Sequence, residues 1–396
     1  MTLAKAEENL ETKNPLPQGW RWIRLGEVCE FAYGSSLPEI GRNKGTIPVY
    51  GSNGVVGYHD ESVAQGPTLI IGRKGSIGEV NYSSGPCWPI DTTYYVDSSK
   101  TSCDLRWLFF LLKFIKLNAL NKASGVPGLN RNDAYNQLIP LPSTLAEQER
   151  IARILNEYIS AVEKARAAAE ARLEAAEALA NAYLRKAFSG SGTEGWRWLR
   201  LGEVCSFIRG VSFDNGEVRN TASEGFLPIL RAGNISHSLD LINDLIWVPQ
   251  AKINENQLIQ KSDILICMSS GSPRVVGKTA KSKEDWSGSV GAFCGIIRAH
   301  DASTADYLSF WFRSNGYLDW RDNQARGANI QNLRFSEFEK LQVPLPLTLA
   351  KQKRIVSVLN EKMADVEIIM QTIHQELETI KALPAALLRR AFTGGL

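Results

Sequence analysis

Apolar residues recur every seven positions towards the C-terminus, at Leu359, Val366, Ile373, Ile380 and Leu387. The same spacing stands 204 residues earlier, at Leu155, Val162, Ala169, Ala176 and Tyr183. Such a repeat marks one face of a long helix that lies along another helix. Ile151, Tyr158 and Ala165 in one stretch, and Ile355, Ile369 and Leu377 in the other, are expected to fill the seam. Each helix follows a Pro-x-Pro stretch that cannot be helical (Pro140 and Pro142; Pro344 and Pro346). Thr144 with Glu147 fits a capping box, whereas Lys351 replaces the Glu in the second copy and leaves Thr348 to cap. Basic residues and a glycine close both: Arg185, Lys186 and Gly190, then Arg389, Arg390 and Gly394. Each stretch is about 48 residues, roughly 70 Å if helical throughout. Small Ala169 and Ala176 suit bulky side chains on a facing helix, and Pro384 is expected to kink the second helix near its end. With a globular stretch between them, the two helices pair most simply antiparallel, about a pseudo-twofold.

The remaining sequence alternates short β-type runs with Gly, Pro and Asn. TIPVYGSNGVVGY, PTLIIGRKGSIGEVNY and TTYYVD stand in the first half, and FLPILRAGN, SDILICMSS and AFCGIIRA in the second. One aromatic-rich helical stretch follows in each half, DLRWLFFLLKFIKLNAL and ADYLSFWFRSNGYLDWRD. This order predicts an α+β fold: two mixed α/β domains alternating with two long helices that form an antiparallel coiled coil. The expected boundaries are 1–142 (with a tail over 1–18), 143–194, 195–346 and 347–396.

The halves are copies. GWRWIRLGEVCEF at Gly19–Phe31 and GWRWLRLGEVCSF at Gly195–Phe207 agree at 11 of 13 positions. PLPSTLAEQERIARILNE and PLPLTLAKQKRIVSVLNE agree at 12 of 18, and LRKAFSG answers LRRAFTG. Repeats 176 to 204 residues apart are too long for a solenoid and mean a duplicated domain. Between the matching segments the two fillings have diverged almost completely. Like frames with unlike fillings suit a protein that reads two different things at a fixed separation.

Composition narrows the picture by exclusion. No apolar leader opens the chain, and the greasiest run, Leu108–Ile115, is broken by Lys113 and too short to span a bilayer. Six cysteines form no CxxC pair, and four scattered histidines make a zinc site improbable. Cys29 and Cys205 occupy matching repeat positions and read as core fillers. A reduced, cytoplasmic protein is expected. A net charge of +3, with no polybasic segment, leaves nucleic-acid binding to local basic loops or to partners.

SPRVVGKT at Ser272–Thr279 resembles a phosphate-binding loop, but Ser272 replaces its first glycine and Pro273 removes an amide donor. A basic hairpin loop is the better reading. No amino-methyltransferase [ND]PP[FYW], no GxGxxG and no partnered nuclease motif appears, which favours a binding protein. Polar, donor-rich loops recur instead. The first half offers Arg73, Lys74 and Ser76, then Asn130, Arg131 and Asn132. The second offers Arg231 and Asn234; Ser270, Arg274 and Lys278; and Asn329, Gln331 and Arg334. Arg reads guanine, Asn and Gln read adenine, and Lys, Ser and backbone amides hold phosphate. Ordinary solvated turns use the same residues; as a set, these loops favour nucleic-acid contact.

Taken together, the pattern resembles the specificity (S) subunit of type I restriction–modification systems. It rests on the W-x-x-x-x-LGE-V openings at Trp20 and Trp196, on IPVYGSNGVVGY and LPILRAGNI, and on GRKGSIG at Gly72–Gly78. The IPLP and VPLP lead-ins with LAEQERIARILN and LAKQKRIVSVLN complete it. The resemblance implies a non-catalytic target reader, each domain binding one half of a split double-stranded DNA sequence. It implies helices that hold the domains apart and dock two methyltransferase subunits, with restriction/translocase subunits joining them. No cofactor is expected on this chain; S-adenosylmethionine and ATP with Mg²⁺ would sit on the partners. No membrane association is expected. The alternative from the residues is a coiled-coil adaptor with two protein-binding domains and no DNA.

Overall fold

The computed structural model describes residues 16–120, 128–189, 195–236, 238–272, 275–324 and 331–396. The chain divides into two compact units, one comprising residues up to Ala171 together with His374–Leu396, the other Arg172–Ile373. The first is built on three small sheets and the second on four, each with one end of each long helix.

In the first unit, β1 (Trp20–Arg24) pairs antiparallel with β9 (Leu138–Pro142), which leads into the first long helix. β2 (Ala32–Tyr33), β5 (Thr68–Gly72), β6 (Val80–Ser83) and β8 (Thr93–Asp97) form an antiparallel sheet in the order β2-β8-β5-β6. β3 (Ile47–Gly51) lies between antiparallel β4 (Gly54–His59) and parallel β7 (Trp88–Pro89). The continuous apolar run in β5 reflects its position, since all five of its residues are buried. α1 (Leu105–Phe114) starts where the Asp104 carboxylate accepts the Trp107 amide at 2.7 Å. It sets Trp107, Leu108 and Leu111 in the core with Phe31, Leu69 and Val96. A short α2 (Arg131–Tyr135) precedes β9.

The second unit repeats this plan despite its unlike sequence. β10 (Arg197–Arg200) pairs with β20 (Gln342–Leu345), and a turn of helix, α4 (Leu201–Val204), follows β10. β11 (Cys205–Arg209), β14 (Ile264–Cys267), β16 (Thr279–Lys281) and β18 (Cys294–Ala299) form the sheet β11-β18-β14-β16. β12 (Phe226–Leu230) lies between antiparallel β13 (Ile246–Pro249) and parallel β17 (Ser289–Val290). One ribbon has no named counterpart, β15 (Ser269–Ser270) with β19 (Gln331–Asn332). The single helical stretch expected after Thr304 is two helices, α5 (Ala302–Trp311) and α6 (Asn315–Gln324). The break falls at residues 312–314, just before the poor helix formers Asn315 and Gly316 that open the second helix. α7 (Phe335–Phe338) occupies the place of α2.

The long helices are α3 (Leu145–Phe188) and α8 (Leu349–Phe392), 44 residues each, and α8 runs unbroken through Pro384. Thr144 and Thr348 cap them, accepting the Glu147 and Lys351 amides at 3.2 and 3.3 Å. The reciprocal half of the capping box is replaced, because the Glu147 carboxylate takes a two-pronged bond from Arg150 at 2.7 and 2.9 Å. That ion pair holds the Glu147 pKa below its usual range.

Leu155, Val162, Ala169 and Ala176, and Leu359, Val366, Ile373 and Ile380, are all buried. Of the accompanying row, Ile151, Ile355 and Leu377 are buried or half-buried as expected, and the other three positions differ. Tyr158, Ala165 and Ile369 face water, and the half-buried row runs through Ile159 and Leu173, and through Met363, Met370 and Leu377. Tyr158 and Ile159 were equally apolar candidates, and the wet position went to the side chain with a hydroxyl to solvate. At the C-terminal ends burial passes from Tyr183 to Leu184 and from Leu387 to Leu388, as a 3.6-residue helix drifts from a seven-residue repeat.

Within the first unit the start of α3 (Ile151, Ala152, Leu155) packs with the end of α8 (Leu388, Ala391, Phe392). Within the second, the end of α3 (Leu184) packs with the start of α8 (Val356, Leu359). Both contacts are antiparallel. Matching aromatic contacts fix these ends: Phe392 meets Trp107 at 6.0 Å, and Phe188 meets Tyr307 at 5.4 Å. Buried Gln148 accepts the Asp104 amide at 2.8 Å, and buried Gln352 accepts the Thr304 hydroxyl at 3.2 Å. The chain's end returns to its start, with Gly394 against Pro17.

All six cysteines are buried free thiols, and burial pushes Cys29 and Cys205 up to about 12. Among the described residues no helix is long and apolar enough to cross a membrane, and no cluster of acidic, His and Cys side chains is placed to hold a metal.

Phe392 is 1% exposed, so Phe392→Ala is expected to cost the first unit about 3–5 kcal/mol. Ile40→Ala, at a side chain 99% exposed, is expected to stay within about 0.5 kcal/mol of wild type. Urea unfolding of the full chain measures both.

Candidate nucleic-acid interface

In the first unit the two polar loops proposed from sequence meet. The Leu129 amide donates to the Arg73 carbonyl at 2.9 Å, and Lys74 bridges Gly128. The Thr92 carbonyl accepts the amides of Arg73 and Lys74 at 2.9 and 3.1 Å, joining a third segment to the junction. The Gly72–Gly78 loop closes on itself, Gly78 N–H to Gly72 carbonyl at 2.8 Å. Gly78 has φ +68°, and a Cβ there would stand 2.3 Å from the Asn118 nitrogen.

Arg73 and Arg131 lie at opposite ends of the sequence cluster yet share one ring. Their guanidinium carbons stand 5.3 and 5.2 Å from the ring centre of Tyr33, a cation–π arrangement. Each is also held by a carbonyl. Arg73 donates through Nε and Nη2 to the Asp91 oxygen at 3.1 and 2.6 Å, and Arg131 through Nη1 to Phe31 at 3.2 Å. Tyr94 lies beneath, its hydroxyl donating to the Leu129 carbonyl at 3.1 Å. Burial and the neighbouring Tyr33 push its pKa up to about 12, against the pull of the two arginines. Lys74, Ser76 and Asn132 are exposed around this cluster. Asn130 caps α2 by accepting the Asn132 amide at 2.8 Å. The product is a pre-ordered cationic surface with an aromatic centre.

The second unit builds the same junction from other side chains. The Leu333 amide donates to the Met268 carbonyl at 2.9 Å, as Leu129 does to Arg73. The Phe293 carbonyl accepts the Met268 and Ser269 amides at 2.8 and 3.1 Å, as that of Thr92 accepts those of Arg73 and Lys74. Gly277, φ +77°, donates to the Cys267 carbonyl at 2.8 Å, as Gly78 does to Gly72. These bonds align the two units residue by residue. Arg73 corresponds to Met268, Tyr33 to Arg209, Glu79 to Lys278, Asn130 to Arg334 and Arg131 to Phe335. The loop from Cys267 to Gly277 is four residues longer than that from Gly72 to Gly78. It is a hairpin loop between antiparallel β14 and β16, not the strand-to-helix turn a nucleotide loop requires.

The remaining candidates fall in three groups. Ser270 pairs with Gln331 across β15 and β19, and its hydroxyl accepts the Ser272 amide at 3.1 Å. Lys278 and Arg334 are exposed at the same junction. Arg231 and Asn234 belong to a separate loop after β12. Asn234 is buried, its oxygen accepting the Arg231 amide at 2.9 Å and its amide donating to the Asp240 and Asn243 carbonyls at 3.2 and 2.8 Å. All its polar capacity serves the loop, which corrects the expectation of a surface contact. Arg231 is exposed and donates to the Asp244 carbonyl at 3.0 Å. Arg274 and Asn329 lie outside the described residues, and Gln331 is described only in its backbone.

Sequence reasoning missed Tyr33, 52% exposed, and Phe293, 70% exposed. Neither stands in a donor-rich loop; the contacts of Arg73 and Arg131 with its ring bring Tyr33 to the site, and the alignment of the two halves by their backbone bonds brings Phe293.

Two like-folded domains bearing unlike surface residues make up the chain. The type I restriction modification DNA specificity domain matches residues 17–171 and 193–379, and the chain belongs to that family. It is 34% identical over 207 residues to the StySPI specificity subunit of Salmonella potsdam, covering 52% of this chain and 44% of that protein. It is 33% identical over 208 residues to the EcoKI specificity subunit of Escherichia coli K12, covering 52% and 45%. The chain thus spans less than half the length of either relative in these matches. The fold is shared with a chain from a structure of type I R-M system assembly (TM-score 0.76, 20% identity, 96% of this chain and 99% of that one). It is also shared with the HsdS subunit from Thermoanaerobacter tengcongensis (TM-score 0.57, 22% identity, 98% and 100%).

Tyr33→Ala removes the ring that both guanidinium groups share, whereas Tyr33→Phe keeps it. At about 0.5–1 kcal/mol per exposed cation–π contact, the Ala variant is expected to exchange the Leu129 amide roughly five times faster. Tyr33→Phe is expected to match wild type by hydrogen exchange.

Proposed function

We propose that this chain is the DNA-reading, non-catalytic subunit of a type I restriction–modification complex, each domain binding one half of a bipartite, asymmetric target. The observation that carries this reading is the equivalence of the two junctions: one backbone frame presents Tyr33, Arg73 and Arg131 in one unit and Arg209, Met268 and Phe335 in the other. In this reading Arg73 and Arg131 meet base edges, while Lys74, Ser76, Ser270 and Lys278 meet phosphates. Asn130, Asn132 and Arg334 flank them, Arg231 stands in its separate loop, and the expectation for Arg274, Asn329 and Gln331 rests on sequence alone. The long helices set the spacing between half-sites and carry two methyltransferase subunits. Apolar side chains left in water at Tyr158, Val358, Ile368 and Ile369 are candidates for that contact. S-adenosylmethionine, ATP and Mg²⁺ belong to the methyltransferase and restriction/translocase partners, and the complex works in the cytoplasm.

The test is domain replacement. Exchanging residues 19–142 for the corresponding domain of another specificity subunit is expected to change one half of the methylated motif and leave the other. A change in both halves would overturn independent reading. Absence of salt-dependent DNA affinity, alone and with the methyltransferase, would favour the coiled-coil adaptor instead.

Arg73→Ala is expected to weaken specific binding by about 1–3 kcal/mol if the guanidinium reads a base. A phosphate contact would instead weaken all sequences alike and flatten the salt dependence, as a titration of affinity against salt distinguishes.

A further inference from the structure

Among the described residues Phe293 is the most exposed large apolar side chain at either junction, 70% exposed, where the first unit has Thr92. Its exposure does not come from a slack backbone. The Phe293 carbonyl takes two amides, from Met268 at 2.8 Å and Ser269 at 3.1 Å. On either side, the Gly291 amide donates to Leu230 at 2.9 Å and the Cys294 amide to Gly291 at 2.8 Å. The next strand is tied in as well, since the Gly210 amide donates to the Cys294 carbonyl at 3.2 Å. Gly291 and Cys294 are themselves buried. The turn is therefore anchored on both sides while the ring is held outward.

We propose that Phe293 is a specificity-determining residue of the second domain, an apolar probe set against the bases of the half-site that this domain reads. The inference rests on the reading of the chain as a DNA-recognition subunit. Three observations favour DNA as the occupant. The position is equivalent to Thr92, whose turn supplies the Asp91 carbonyl that holds Arg73 in the first unit, so both turns form the floor of a candidate interface. The junction around Phe293 carries exposed Lys278 and Arg334, cations that suit a phosphate backbone. The second domain also has Met268 and Phe335 where the first has Arg73 and Arg131, its own cations standing instead at Arg209, Lys278 and Arg334. The positions that set guanidinium groups beside this turn in the first domain therefore hold no side-chain donor in the second. An aromatic ring supplies what donors cannot, contact with a thymine methyl or partial insertion between base pairs.

The experiment uses the full chain assembled with its methyltransferase subunit. The methylated motif is determined by sequencing modified DNA from cells carrying wild type, Phe293→Ala, Phe293→Leu and Phe293→Thr, the last being the first domain's own residue. The purified complexes are then titrated with the wild-type target. Phe293→Ala and Phe293→Thr are expected to relax the motif at one or more positions of one half-site and to lower target affinity about 5- to 100-fold. Phe293→Leu should fall between, the other half-site should be unchanged, and the salt dependence should be preserved because no charge is removed. A wild-type motif at wild-type efficiency in Phe293→Ala overturns the proposal. So does loss of methyltransferase assembly with an unchanged motif, which would make Phe293 a protein contact. If wild type itself directs no sequence-specific methylation or binding, the parent reading fails first and takes this inference with it.

Discussion

Each candidate interface hangs on a junction of main-chain hydrogen bonds, in which a strand end, a turn and the segment before the Pro-x-Pro run donate to one another. Leu129 to Arg73 and Leu333 to Met268 are the same bond, as are the paired bonds to Thr92 and Phe293. Main-chain donors and acceptors are identical for nearly every residue type. The junction therefore places no demand on the side chains that project from it. The frame persists while Arg73 becomes Met268 and Tyr33 becomes Arg209, because the bonds that define it are main-chain bonds, to which the Tyr33 ring adds only about 1 kcal/mol of support. The constraint falls on glycines instead. A Cβ at Gly34 would stand 2.1 Å from the Ile90 carbonyl oxygen, and one at the equivalent Gly210 would stand 2.1 Å from that of Gly291.

This explains why the long helices and the repeat were legible in the sequence while the kinship of the two fillings was not. Helix seams are written in side chains: Leu155, Val162, Leu359 and Val366 are buried where a seven-residue repeat puts them. The companion row was ambiguous because adjacent residues were both apolar, and only packing could choose Ile159 over Tyr158. The strand order β2-β8-β5-β6 and its repeat β11-β18-β14-β16 are written in main-chain pairing, which leaves little trace in side-chain identity. The candidate loops were found through turn chemistry, and that is also where the reading failed. Asn234 has the composition of a surface reader and the hydrogen bonds of a loop staple, two roles that a Gly-Asn pair in a sequence does not distinguish.

The helix ends show the opposite logic. Phe188 and Phe392, Gln148 and Gln352 are repeated in sequence because their side chains make the contact. Each pair joins a long helix to its domain through an aromatic ring and a buried amide, and a buried amide without its partner leaves an uncompensated polar group. These positions tolerate little change and have changed little between the halves.

Taken together, the two kinds of constraint divide the molecule by what a mutation can do. Substitution at a helix end acts on stability first, because it opens a cavity or strands a polar atom. Substitution at Arg73, Lys278 or Phe293 acts first on what the surface presents, because the carbonyls and amides beneath it keep their partners. A protein that must acquire new recognition without losing its fold is served by that separation, and duplication doubles its value. One copy can drift at its surface while each remains clamped by its own pair of helix ends. The divergence between Gly72–Gly78 and Cys267–Gly277, with four residues inserted and the closing bond at 2.8 Å in both, is that freedom already used.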